Sequence, residues 1–147
     1  MRVANSGARA VVLPDASWPE RSSTVAEIAS HGIACADIEG PVDSKAVCAQ
    51  LLTEDLEPPL VVVAHGDACL VLPSVALALK TRHRNTLGYV LIDPDAPPAT
   101  DTWPEAPVFV VSSTEATGTS LRGWSVVRSQ GDAPVLVAQR VQQLLSA

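Results

Sequence analysis

Six short apolar runs punctuate the chain. Residues 10–13 (AVVL), 33–38 (IACADI), 60–64 (LVVVA), 87–92 (LGYVLI) and 108–111 (VFVV) are rich in β-branched side chains. The sixth, residues 124–128 (WSVVR), is weaker. Most are continuous rather than alternating, the pattern of strands buried on both faces. Helical spacing fills the intervals. Residues 23–30 open with Ser23 and Thr24, which favour an N-cap. Residues 43–56 carry apolar Val47, Ala49, Leu51 and Leu52 behind a cap at Asp43 or Ser44. Residues 67–82 are apolar nearly all round and predict the most buried helix, with Pro73 kinking it or delaying its start. Residues 133–145 predict a closing helix, with Val135, Val137, Val141, Leu144 and Leu145 toward the core.

Alternation of strand and helix calls for a parallel sheet covered on both sides, and right-handed crossovers wind it in both directions. The predicted fold class is α/β: a doubly wound, mostly parallel six-stranded sheet with helices on both faces, in one domain over residues 1–147. Residues 93–107 (DPDAPPATDTWPEAP) break the rhythm with five prolines. They predict an irregular loop at the carboxyl end of a strand, where open α/β sheets put their sites.

Composition narrows the partners. Net charge is −6, and the Lys and Arg residues are scattered. With no basic stripe to neutralise phosphates, nucleic acid is not expected as a partner. No apolar run approaches the ~20 residues of a membrane span, so no membrane is expected either. The cysteines are Cys35, Cys48 and Cys69. An odd count and no evident export signal predict reduced thiols and a cytoplasmic location. Eight Arg against two Lys, with abundant Ala and Val, hint at a GC-rich bacterial genome.

The chemistry centres on residues 61–69, VVVAHGDAC: an apolar strand, a corner of small residues, then a helix. With it stand AVVLPDASWPERSSTVAEIASHGIACADIEGP, which ends in an Asp37-Ile38-Glu39-Gly40 turn, and then TRHRNTLGYVLIDPDAP, APVFVVSSTEA and RSQGDAPVLVAQRVQQLL. Together these resemble the α/β-hydrolase superfamily over nearly the whole chain. That family presents a serine on a strained strand-to-helix turn, with backbone amides aimed at the oxyanion. By this resemblance Gly66 occupies the nucleophile position and Ala133 the position of the base. Pro14-Asp15 replaces the His-Gly of the oxyanion loop, and the acid falls near Glu115 or Ala116. Glycine offers no nucleophile and alanine no base, while a carboxylate beside a developing negative charge is repulsive. The resemblance therefore implies a capless, degenerate member without serine-hydrolase activity.

Each candidate side chain has a plain reading beside a functional one. His65 is a structural histidine or a proton shuttle. Asp67 caps the helix or joins Asp15 in a pair of acids flanking a cleft. Asp93 and Asp95 end a strand at the site edge, with structural and catalytic readings both open. Cys69 is a buried small hydrophobe or a thiol activated by a helix N-terminus. Ser112, Ser113 and Thr114 bind a ligand or close a loop. Trp18 and Trp103 sit on loops at the carboxyl edge, where tryptophans line pockets or anchor interfaces. The expected cleft thus draws on Pro14, Trp18, Cys69, Trp103 and Ser113. His31 and His83 read as surface residues at helix ends. The three histidines are too dispersed for a metal site, and no cofactor is expected.

Two uses follow. The first is a binding or accessory protein that holds a small molecule or a protein partner, with a homodimer as one possibility. The second is a non-hydrolytic cyclase, lyase or isomerase of a bacterial natural-product pathway, working by positioning and acid–base help from Asp15, His65, Asp67 or Asp93. A Rossmann-like or flavodoxin-like nucleotide binder ranks last, because PDASWPE after the first strand has no Gly-rich turn and no phosphate-cradling lysine loop.

Overall fold

The central strand of the sheet is the run of valines. In the computed structural model, which describes residues 7–94, 103–113 and 124–146, β3 (Leu56–His65) lies between β1 (Ala8–Val12) and β4 (Thr86–Ile92). β2 (Cys35–Asp37) flanks β1, while β5 (Val108–Ser112) and β6 (Ser125–Arg128) extend the other side. The order is β2-β1-β3-β4-β5-β6, and every pairing is parallel.

Continuity of the apolar runs has the expected cause. Along β3, Leu60, Val62 and Ala64 enter one core, while Val61 and Val63 enter the other. The first core is closed by α2 (Ser44–Leu51) and α3 (Leu72–Thr81) through Val47, Leu51, Leu72, Val75 and Leu79. The second is closed by α1 (Arg21–Ser30) and α4 (Ala133–Ser146) through Ile28, Val137, Ala138 and Val141. The sheet is doubly wound, with two helices on each face among the described residues.

Several boundaries depart from the sequence reading. α1 begins at Arg21 with Glu20 at its N-cap and no side-chain cap; Thr24 Oγ1 instead donates back to the Glu20 carbonyl at 2.9 Å. α2 is capped as expected, Asp43 accepting from the Ala46 amide at 3.0 Å, but it ends at Leu51. Leu56, expected at its end, opens β3. Pro73 delays the third helix as expected: a 3-10 helix, Gly66–Val71, precedes α3. That unit is less buried than its composition suggests, because Leu70 and Leu77 face outward. Val135, expected in the core, is exposed on α4.

Arg21 ties the carboxyl ends of β1 and β2 together. Its guanidinium donates to the carbonyls of Leu13 (3.1 Å), Val12 (3.3 Å) and Ile38 (2.6 Å), and it is ion-paired with Asp37. A cation at a helix N-terminus opposes the macrodipole. Here that unfavourable placement is offset by the three carbonyls and the Asp37 carboxylate, the Val12 carbonyl being shared with the Ile38 amide.

Tyr89, the only tyrosine, is fully buried on β4 and donates its hydroxyl to Glu105 at 2.7 Å. It packs edge-on to Trp103, which packs edge-on to Trp124. Burial raises the phenol well above its ordinary value, and the Glu105 carboxylate adds to the rise. A raised value means stability that is present below the unfolded tyrosine pKa, about 10, and is lost as pH rises through the folded value. A spectrophotometric titration should therefore show no tyrosinate until the protein unfolds in alkali. A reversible tyrosinate signal with native circular dichroism would contradict this burial.

Candidate functional site

Strand order locates the crevice before any side chain is considered. β1 leads through α1 to β2 on one side, and β3 leads through α3 to β4 on the other. The chain therefore changes direction between β1 and β3, and the gap outside their carboxyl ends is where open α/β sheets bind ligands. Two corners meet there: Pro14-Asp15 after β1 and His65-Gly66-Asp67 at the end of β3.

The corners are joined by a carboxylate and an imidazole fifty residues apart. Asp15 Oδ2 lies 2.8 Å from His65 Nδ1. Asp15 Oδ1 accepts from the Ser17 amide at 2.9 Å and from the Ser17 hydroxyl at 2.7 Å. This is an aspartate closing a turn on its own downstream backbone. The Trp18 amide completes the turn by donating to the Asp15 carbonyl. Burial pushes the Asp15 carboxyl up, but the hydrogen bonds from His65 and Ser17, with the attraction of His65, outweigh it and hold the group below its ordinary value. An ionised Asp15 can only accept, so His65 Nδ1 is the donor of this contact.

Trp18 fixes the imidazole from the other direction. Its ring is buried and stacks on His65 with centroids 5.1 Å apart and planes 3° from parallel. Trp18 belongs to the core under α1 and α4, whereas Trp103 belongs to the core under α2 and α3. The shared cleft expected of these two tryptophans is therefore not formed: they are buried on opposite faces of the sheet.

Gly66 is the turn itself. Its φ of +54° lies in the left-handed region, and a Cβ built on it would stand 3.0 Å from Asp15 Oδ2. Backbone and neighbour both select glycine. The corner has the positive-φ geometry of a strand-to-helix elbow, and Asp15 closes over it.

The remaining candidates separate. Pro14 is buried beside Asp15. Asp67 is exposed in the first turn of the 3-10 helix, so it does not share the enclosed position of Asp15. Cys69 is fully buried in the α2–α3 core, consistent with its packing role. Burial, with Asp37 nearby, pushes the Cys35 thiol up to about 11, and burial also raises Cys48. Asp93, at φ +43°, accepts from the Ser113 amide at 2.7 Å and the Ser113 hydroxyl at 2.9 Å. That pair clamps the ends of β4 and β5. Ala133 is the first residue of α4 and is buried, with no proton-accepting atom in its side chain. Asp95, Thr114, Glu115 and Ala116 lie outside the described residues. His31 and His83 are exposed after α1 and α3, as the sequence suggests. Among the described residues no three His, Cys, Asp or Glu side chains gather as a metal site, and no helix is long and apolar enough to cross a membrane.

Sequence reasoning missed Ser17 and the Trp18–His65 stack. The first had a signal, since Asp-Ala-Ser matches an aspartate turn closed by a serine two positions on. The second had none, because nothing local links residue 18 to residue 65. No family model matches this chain, and no curated protein matches it.

Proposed function

We propose that this chain is a non-hydrolytic protein built on an α/β-hydrolase-like core, and that it holds a small molecule or a partner without covalent chemistry. One observation carries the reading: Asp15 Oδ2 stands 3.0 Å from the point where any side chain at Gly66 would begin. The nucleophile's place is filled by a carboxylate already committed to His65 and Ser17. A doubly wound sheet, a positive-φ corner after its central strand and a loop from β1 meeting that corner support the resemblance. Function still has to come from the site, not from the fold.

A second use draws on the Asp15–His65 contact. A carboxylate that holds Nδ1–H leaves Nε2 able to take a proton, as in the histidine of a catalytic triad. With glycine at position 66, such a base serves proton transfer within a bound substrate.

An activated-phosphonate probe and an aryl ester decide the main claim. The wild-type protein should show neither labelling nor turnover. Gly66→Ser should fold less stably and remain without esterase activity, because the new hydroxyl meets Asp15 and Ala133 supplies no base. Labelling at any serine of the wild-type protein, or substantial turnover by the variant, overturns the reading. His65→Gln separates the two uses. Loss of product formation with ligand binding retained favours proton transfer, and unchanged product formation removes it.

A further inference from the structure

Three large apolar side chains are exposed among the described residues, and two share one helical unit: Leu70 at 51% and Leu77 at 63%. The third, Val135, is on α4, across the sheet. Leu70 lies near the end of the 3-10 segment and Leu77 is on α3; seven positions are about two turns in either geometry, so they stand roughly 10 Å apart along the axis on the same side. Between them are half-buried Pro73 and exposed Ser74, whose small side chains permit close approach. Beside Leu77 is a depression of about 120 Å³ lined by Pro73, Ala76, Leu77, Lys80, Trp103 and Glu105.

We propose that this face binds a second copy of the same chain, with the two α3 helices antiparallel about a two-fold axis. The order of charges selects that occupant. Asp67 is exposed at the start of the unit and Lys80 is exposed in its last turn. An axis at the Pro73–Ser74 step exchanges position 67 with 80 and position 70 with 77. Each Asp67 then faces the Lys80 of the second copy, twice per dimer. Each Leu70 falls toward the depression beside the second copy's Leu77. Self-complementarity of this kind is what an isologous interface requires. A parallel pairing would set Asp67 against Asp67 and Lys80 against Lys80, and would align the helix dipoles unfavourably. An unrelated partner would need no such internal symmetry. Asp67 follows the crevice corner at Gly66, whereas Leu77 and Lys80 lie on α3, and the inference does not depend on the proposed function.

Sedimentation equilibrium over about a hundredfold range of concentration tests it. The wild-type chain should approach twice its monomer mass of 15.3 kDa. Leu77→Asp should remain monomeric with native circular dichroism, while Val135→Asp should dimerise like the wild type. Lys80→Glu should weaken the dimer by about tenfold through two like-charge contacts, and adding Asp67→Lys should restore it. A wild-type monomer throughout, a dimer indifferent to Leu77→Asp, a dimer lost in Val135→Asp, or a double charge exchange no tighter than Lys80→Glu would each overturn the assignment.

Discussion

Asp15→Ala should lower the free energy of unfolding by about 3 kcal/mol, measured by urea denaturation at neutral pH. The size follows from what the carboxylate satisfies. It is buried, and it accepts from His65 Nδ1, the Ser17 amide and the Ser17 hydroxyl. Removing it leaves an imidazole enclosed between Trp18 and the β3 corner without its anion, and an amide without its acceptor. An exposed pair would contribute well under this amount. Asp15→Asn should lose less, since an amide oxygen can still accept from Nδ1 or from Ser17. A loss under about 1 kcal/mol for Asp15→Ala would mean the two corners are held by packing alone.

The pH dependence gives the same residue an independent signature. A carboxyl held below its ordinary value contributes stability above the unfolded carboxylate pKa, about 3.9, and loses it as pH falls through the lower folded value. The gap between wild type and Asp15→Asn should therefore close as pH falls below about 4. A gap that widened below about pH 4 would have the wrong sign for a carboxylate stabilised by His65 and Ser17.

What the sequence disclosed and what it hid divide along a physical line. Strand positions were legible because burial on both faces leaves no room for polar residues, and Val61, Val62 and Val63 alternate between two cores. Pro73 was legible because a missing amide acts locally, wherever the helix packs. Gly66 was legible as a corner without a side chain, and its positive φ supplies the backbone reason. The outward turn of Leu77 and Val135 was hidden, since an apolar residue on a helix does not say which side of its stripe meets the sheet. The Asp15–His65 pair was hidden for a different reason. Both residues were candidates, but their meeting depends on β1 and β3 being neighbours in a parallel sheet, with Val12 level with Val63. Sequence separation carries no trace of that register.

Gly66→Ala tests whether the corner and the carboxylate form one unit. The substitution carries two costs. Placing a Cβ at φ +54° opposes the steric preference of L-residues by about 1–2 kcal/mol. The same Cβ, 3.0 Å from Asp15 Oδ2, must also displace a group held by three hydrogen bonds. Together these should cost about 2–3 kcal/mol in the wild-type background. In the Asp15→Ala background the collision is gone and only the backbone cost, about 1–2 kcal/mol, should remain. The double variant should then be more stable than the sum of the singles predicts by about 1 kcal/mol, a coupling expected only of residues in contact. Equal costs in both backgrounds would place the strain entirely in the backbone. A negligible cost in either would remove the reason for glycine. If the coupling is found, a hydroxyl introduced at position 66 is pressed against a carboxylate instead of being aimed at an imidazole, and a serine there does not make a nucleophile.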